Sequence, residues 1–269
     1  ATHPERVVGL HFFYHPAKNR LVEVIPAEGT SAEAVDRVWR FIEAVGKTPI
    51  HCLDRPGFIV NRILIPSMLE ALQLFEGGES VAAIDLLMLR FGMPMGPLRL
   101  IDEVGIDIAH HVSSNLVNEL PNFNPLPKIL DRMSSEGLLG RKSGQGFYDY
   151  TADPANPYPN PRLAELDWVS RPRVPWQEMR DRMVFCMINE AARCIEERVA
   201  YSSGDIDLAM VLGAGWAPFR GGPLRYAESL GIPAAIATLR DLARTAGPHF
   251  PPCPILEQLS CQKDPSRFM

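Results

Sequence analysis

Two residues that can exchange a proton stand twelve positions apart near the start of the sequence. His11 and Glu23 belong to two β-prone runs, residues 7–13 and 20–25, joined by a loop at 16–19. If the runs form a hairpin, residues whose numbers sum to about 33 or 34 lie opposite one another, as His11 and Glu23 do. A carboxylate beside an imidazole fixes its tautomer and favours its protonated form. The pair could therefore take a proton from an alcohol.

Such a base suits the oxidation of a secondary alcohol, in which the hydroxyl proton goes to the base and a hydride goes to a nicotinamide. Spacing alone also allows a blander interpretation, because a lone histidine in an apolar strand is more often a hydrogen-bonded core or edge residue. Asn61, one turn into the helix after Pro56-Gly57, is the third candidate. Its amide could donate to the substrate's oxygen, or it could be an ordinary cap or solvated residue.

The elements around these residues predict the closing part of an α/β domain. After the two strands, Thr30-x-x-Glu33 has the pattern of a capping box, and the helix that it opens ends at Gly46. Residues 48–53 read as a third strand before the Pro56-Gly57 turn. From Phe58 onward apolar residues recur at helical spacing, so the fold class is mainly α with a small α/β remnant at the N-terminus.

The helical region contains a diverged duplication. Residues 62–76 (RILIPSMLEALQLFE) align with 182–196 (RMVFCMINEAARCIE), and 96–105 (GPLRLIDEVG) with 222–231 (GPLRYAESLG). The order is kept while the offset grows from 120 residues in the first alignment to 126 in the second, as small loop insertions would produce. We expect the copies to pack as an intrachain pseudo-dimer. The second copy has no preceding strands, so we expect it to be structural.

A proline-rich stretch separates the two copies and is interpreted as a linker. The predicted domains are residues 1–56 (α/β remnant), 57–150 (first helical copy), 151–174 (linker) and 175–269 (second helical copy).

Composition excludes several classes of partner. A net charge of −5 with 22% charged residues gives no basic stripe for a nucleic acid, and no apolar run is long enough to span a membrane. The five cysteines are scattered and never form a C-x-x-C pair, which argues against disulfides and a zinc or other metal site. A reducing, cytoplasmic compartment is expected.

Six motifs in a fixed order carry a family resemblance. VVGLHFF, LVEV, GKTP, DRPGFIVNR, FGMPMGPLRLIDEVG and GRKSGQGFYDY together resemble the L-3-hydroxyacyl-CoA dehydrogenase family over residues 5 to about 258. The PFRGGPLRY block resembles the C-terminal region of the multifunctional β-oxidation α-subunit, which fuses this dehydrogenase to an enoyl-CoA hydratase.

The resemblance implies roles for individual residues. His11 would be the base, Glu23 its partner and Asn61 the substrate contact in NAD-dependent oxidation of (S)-3-hydroxyacyl-CoA. Lys142, in the GRKSGQGF block, would lie near NAD. Tyr14 replaces the asparagine of the usual HFFNP text, where cofactor or substrate is placed.

The sequence also departs from the family in lacking any G-x-G-x-x-G stretch able to seat a pyrophosphate. We expect the chain to begin inside a catalytic domain and to bind NAD poorly in isolation. Two alternatives to the dehydrogenase therefore stay open. One is a non-catalytic helical module that dimerises or docks onto a hydratase or thiolase partner. The other is a related dehydrogenase acting on a different acyl thioester.

Overall fold

A computed structural model of the protein describes residues 1–120, 123–165, 173–261 and 268. Its N-terminal region is a three-stranded sheet in the order β1-β2-β3, formed by Val8–Phe12, Leu21–Pro26 and Thr48–His51. β1 and β2 pair antiparallel with His11 opposite Glu23, which confirms the predicted hairpin register. β3 runs parallel to β2. The central strand β2 is buried over its first five residues, so the sheet interior is apolar apart from Glu23.

Helix α1 (Ala32–Ala44) connects β2 to β3 and packs on the sheet. The predicted capping box at Thr30 is wrong, because the Ser31 hydroxyl accepts the N–H of Ala34 and caps the helix instead. The Thr30 hydroxyl donates to the Val7 carbonyl and accepts the N–H of Ala27. Thr30 therefore ties the turn before α1 to the start of β1.

The rest of the described chain is mainly helical, as the sequence predicts. The first helical segment contains α2 to α6 and a short β pair, β4 and β5; the second contains α7 to α11. Their bounds are α2 Val60–Glu76, α3 Val81–Phe91, α4 Pro97–Val104, α5 Ile106–Glu119, α6 Ile129–Ser135, β4 Tyr148–Asp149, β5 Tyr158–Pro159, α7 Trp176–Glu196, α8 Ser203–Gly213, α9 Pro223–Leu230, α10 Ile232–Thr245 and α11 Pro254–Ser260. Among these helices none is both long and apolar enough to cross a membrane.

Within the predicted linker, residues 166–172 lie outside the described part of the chain. The stretch before them holds β5 and a 3₁₀ turn at Pro161–Glu165. Asn160 is buried there: its backbone N–H donates to the Phe147 carbonyl and its side-chain amide to the Gly146 carbonyl. This part of the stretch is therefore packed against the end of the first helical segment.

The chain divides into two compact units. The first unit comprises residues 1–64, 187–241 and 250–269, and the second comprises 65–186 and 242–249. In the first unit the core is built on β2, and α8 reaches it so closely that a β-carbon on Gly213 would stand 2.7 Å from Leu21 and 2.8 Å from Val60. In the second unit Phe147 is fully buried and its ring lies edge-on to Phe75.

Candidate active site

The His11 and Glu23 side chains meet as the strand register requires. His11 Nδ1 lies 2.6 Å from Glu23 Oε2. Because an ionised carboxylate can only accept, Nδ1 carries the proton of this hydrogen bond. The Glu23 side chain is wholly buried, whereas 27% of the His11 side chain is exposed. The pair therefore has a buried anchor and an accessible imidazole.

The second oxygen of Glu23 is held by the start of α2. Glu23 Oε1 accepts the backbone N–H groups of Ile59 at 3.0 Å and Val60 at 2.9 Å. These belong to the N–H groups that a helix leaves unpaired in its first turn, where its dipole favours negative charge. Since α2 has no acidic residue in its own first turn, Glu23 supplies that charge from β2. The charge of the buried carboxylate is thus compensated by two amide N–H groups at one oxygen and by the His11 imidazole at the other.

The turn before α2 has an unusual backbone. Gly57 and Phe58 both have positive φ, 76° and 52°. This conformation suits glycine, but in a residue with a β-carbon it costs roughly 1–2 kcal/mol. It allows Ile59 and Val60 to direct their N–H groups toward Glu23. The Phe58 ring centre lies 5.4 Å from that of His11, and the Phe13 ring centre lies 4.5 Å away in an edge contact.

The neighbouring thiol is kept neutral. Cys52 follows β3 and is 1% exposed. Burial raises the pKa of the Cys52 thiol, and the charge of Glu23 raises it further. An un-ionised thiol is a poor nucleophile.

The outer nitrogen of the His11 imidazole is available for chemistry. Within the described residues its Nε2 has no hydrogen-bond partner. With the proton fixed on Nδ1, Nε2 carries a lone pair and can accept a proton from a bound alcohol. The imidazolium formed would be stabilised by Glu23, as a buried carboxylate stabilises the histidine of a catalytic triad.

Asn61 stands at the second residue of α2, directly after one of the amides that bind Glu23. Its side chain is partly exposed and makes no hydrogen bond within the described residues. An unengaged amide donor at this place is compatible with a substrate contact, so its role stays a prediction.

The two residues predicted to contact the cofactor lie in different units. Tyr14, in the loop after β1, is 75% exposed. Lys142 belongs to the second unit, in the 3₁₀ turn Arg141–Ser143, where its ammonium group pairs with Asp107 on α5. The hydrogen bond from Lys142 lowers the pKa of the Asp107 carboxyl. Both cofactor roles stay predictions.

Two connections lead from a strand of the sheet into a helix, and neither has the features of a phosphate-binding loop. The turn between β2 and α1 contains one glycine, Gly29, and Ser31 already accepts an N–H of the helix's first turn. The connection from β3 to α2 directs its N–H groups to Glu23. The residues described thus fit the proton-accepting side of a nicotinamide reaction and not the seating of its pyrophosphate.

Sequence reasoning missed a second buried histidine–glutamate contact. His249 Nε2 lies 2.8 Å from Glu70 Oε1, which also accepts from the Asn124 amide at 2.7 Å, while Arg182 binds Oε2. Glu70 is wholly buried and the His249 side chain is 5% exposed, so solvent has little access. The position resembles a structural polar network. The one signal in the sequence is Glu70 itself, an acid in an apolar helical run.

The remaining histidines and cysteines of the helices have ordinary structural surroundings. Cys186 and Cys194 are buried core residues at 6% and 0% exposure. His110 is partly exposed and pairs with Asp131 at 3.0 Å, and the adjacent His111 contacts the Asn115 amide at 3.3 Å. The Phe58 backbone and the two amides on Glu23 had no signal in the sequence beyond the glycine at position 57.

Comparison with known proteins gives a family for most of the chain. Residues 57–150 and 179–267 match the family described as 3-hydroxyacyl-CoA dehydrogenase, C-terminal domain. Residues 1–55 match its NAD binding domain. NAD is therefore the cofactor of the family to which this region is matched.

Solved structures give the same family. A 3-hydroxybutyryl-CoA dehydrogenase from Escherichia coli is 27% identical with a TM-score of 0.78, over 95% of this chain and 70% of that one. The dehydrogenase part of multifunctional enzyme 1 from C. elegans is 26% identical with a TM-score of 0.69, over 93% of this chain and 59% of that one. An (S)-3-hydroxybutyryl-CoA dehydrogenase from Ralstonia eutropha is 38% identical with a TM-score of 0.51, over 55% of this chain and 53% of that one.

This chain thus spans 70% of the first of these structures and between half and three fifths of the other two. The family matches cover the sheet that holds His11 and Glu23 as well as both helical segments. The chain belongs to the NAD-dependent 3-hydroxyacyl-CoA dehydrogenase family.

Proposed function

We propose that this chain carries the proton-transfer half of the NAD-dependent oxidation of (S)-3-hydroxyacyl-CoA to 3-oxoacyl-CoA. The observation that carries the proposal is the orientation of one imidazole. Glu23 binds His11 Nδ1 on one side and two helix amides on the other, which leaves Nε2 as the acceptor. A secondary alcohol becomes a ketone by losing a proton and a hydride, and His11 is placed to take the proton.

Each residue then has one task. His11 Nε2 removes the hydroxyl proton in oxidation and returns it in reduction. Glu23 holds the imidazole and stabilises its positive charge. The Asn61 amide donates to the substrate's 3-oxygen, and Tyr14 and Lys142 contact the cofactor. NAD, when bound, accepts the hydride.

We also propose that the two helical segments are tandem copies of the family's C-terminal domain. Equivalent residues make equivalent bonds, since Asp85 accepts from the N–H groups of Leu98 and Arg99 and Asp207 from those of Leu224 and Arg225. The match of both segments to that domain supports the proposal. An intrachain pseudo-dimer follows from it as a further expectation.

The biological setting is proposed from the family. The relatives named above are 3-hydroxybutyryl-CoA dehydrogenases and the dehydrogenase part of a multifunctional enzyme. From the motif resemblance of the sequence we propose fatty acid β-oxidation in the cytoplasm, with an acyl-CoA thioester as substrate and a hydratase domain or thiolase as partner.

The non-catalytic module remains the alternative, because neither strand-to-helix connection offers a phosphate cradle. The purified chain is mixed with acetoacetyl-CoA and NADH, and nicotinamide absorbance is followed. Turnover that is lost in His11→Gln supports the enzyme. Binding of acetoacetyl-CoA is measured in parallel by calorimetry, with Asn61→Leu as the variant expected to weaken it. A chain that neither turns over nor binds acetoacetyl-CoA or NADH, yet forms a stable oligomer by light scattering, would favour the module.

A further inference from the structure

We propose that Phe58 is a positioning residue for His11, a role that rests on the function proposed above. Its ring restrains the imidazole, and its left-handed backbone directs the next two amides to the imidazole's carboxylate partner. Phe58 would act through His11 and Glu23, without touching the reacting atoms itself.

One hydrogen bond, from Nδ1 to Glu23, opposes rotation of the His11 ring about its Cβ–Cγ bond, a rotation that would carry Nδ1 away from the carboxylate. Two aromatic rings limit this motion: Phe13, which is 7% exposed, and Phe58, which is partly exposed. Their planes make angles of 60° and 49° with the imidazole, so the two rings contact it with different tilts. Phe13 belongs to the core, whereas Phe58 stands at the entrance to the helix that carries Asn61.

The second step concerns the backbone. Glycine is the residue that the left-handed region favours, and the chain places one at position 57. At position 58, where φ is also positive, it places a phenylalanine. A residue with a β-carbon keeps such a conformation only where its surroundings enforce it, and such positions cluster at functional sites. The feature that Phe58 supplies and glycine would not is the ring beside His11.

The third step is a comparison within the chain. At the offset of 120 residues that relates the two long helices, position 58 corresponds to Glu178. Glu178 lies inside the regular helix α7, in its first turn. In the described part of the chain, the start of α7 has no residue with a left-handed backbone and no aromatic ring in contact with a histidine. The aromatic turn therefore accompanies the His11–Glu23 pair and not the helical scaffold.

The test reads the imidazole directly and needs no bound cofactor. The chain is labelled with ¹⁵N-histidine, and the tautomer of His11, assigned by its loss in His11→Gln, is read at the alkaline end of a titration. We expect the native chain to show the Nδ1–H form alone, and Phe58→Gly to show a mixture of both tautomers. Phe58→Tyr, which keeps a ring, should retain the native signals. Phe12 is an exposed residue on β1, the strand of His11. Phe12→Leu is therefore the matched control and should also retain the native signals.

If Phe58→Gly kept the single Nδ1–H tautomer, the proposal would be overturned. Circular dichroism checks the fold of each variant; if the glycine variant unfolds, Phe58→Leu, which keeps an apolar side chain without the ring, replaces it with the same two outcomes. A failure of the proposed function is separable, because it would show as unchanged turnover in His11→Gln whatever the tautomer of the Phe58 variants.

Discussion

The two long helices α2 and α7 have similar sequences and different N-termini, and this difference separates the site from the scaffold. α7 carries its own acid in the first turn, Glu178, which complements the helix dipole locally. α2 has none and receives the charge of Glu23 from a neighbouring strand. Because Glu23 comes from the sheet, one of its oxygens accepts the helix N–H groups while the other holds His11.

The downstream parts of the two segments share their polar contacts. Each long helix contributes an arginine that bonds a buried glutamate of the other: Arg62 to Glu190 in the first unit and Arg182 to Glu70 in the second, each with Nε to oxygen at 2.7 Å. Each segment also has an acid that accepts the N–H of a phenylalanine: Asp102 with Phe147 at 2.9 Å, and Glu228 with Phe268 at 2.8 Å. These contacts recur in both segments, so they belong to the architecture.

The largest expected effect comes from exchanging the two helix-capping acids for amides. In Glu23→Gln the side-chain oxygen can still accept from Ile59 and Val60, but the amide group donates to His11 and places its proton on Nε2. A protonated Nε2 cannot take a proton from the substrate, so kcat should fall by about 10²- to 10⁴-fold. The measurement is NADH formation from (S)-3-hydroxybutyryl-CoA and NAD, under conditions in which the native chain turns over.

The matched control for this exchange is Glu178→Gln, which should leave turnover unchanged. The helix of that variant loses a dipole interaction of about 0.3–1 kcal/mol. Equal losses of activity in the two variants would contradict the distinction between the two helix starts.

The sequence predicts this contrast only in part. The sequence predicts that His11 lies opposite Glu23, because the loop of a hairpin sets the register of its strands. Helical periodicity and the repeated GPLR motif predict both helical segments. The sequence cannot show that Glu23 reaches the start of α2. Ile59 and Val60 lie 36 and 37 positions after Glu23 in the sequence, and only the fold brings them together. The positive φ of Phe58 cannot be predicted from the sequence either, because phenylalanine favours a negative φ. The cap at Ser31 was missed by one position because Thr30 has the same chemistry and a different partner.

The second prediction concerns Arg62 and Arg182, each of which binds a buried glutamate. Replacing one with methionine leaves a buried glutamate without its partner, which costs about 3–5 kcal/mol. In Arg62→Met the abandoned Glu190 keeps Arg193 at 2.9 Å. In Arg182→Met the abandoned Glu70 keeps, within the described residues, the Asn124 amide and His249. We therefore expect Arg182→Met to lower the free energy of unfolding more than Arg62→Met.

Urea denaturation monitored by circular dichroism measures both losses. Arg40→Met serves as the control, because Arg40 pairs with Asp36 on the exposed face of α1 and should change stability little. A larger loss in Arg62→Met than in Arg182→Met would show that Arg193 does not compensate Glu190.

The smallest expected effect is a pH dependence carried by the equivalent acids Asp85 and Asp207. Burial raises the pKa of Asp85 to about 6 and that of Asp207 to about 7, partly offset by the backbone N–H groups that each accepts. In the unfolded chain both should titrate near 3.8. Between these values the folded protein holds protons that the unfolded chain has released, so this stability is complete below about pH 4 and is lost as pH rises through 6 and 7.

The free energy of unfolding should therefore fall between about pH 4 and 7, by about 1–2 kcal/mol for each acid after solvent screening. Asn cannot titrate, so Asp85→Asn should flatten the lower part of this slope and Asp207→Asn the upper part, although each variant starts from a lower stability because one amide replaces an acceptor oxygen. Urea titrations at pH 5, 6, 7 and 8 separate the two. An unchanged slope between pH 6 and 8 in Asp207→Asn would mean that this acid is ionised in the folded protein throughout. The second segment would then keep its helix N-terminus charged where the first does not, and the likeness of the two segments would end at their electrostatics.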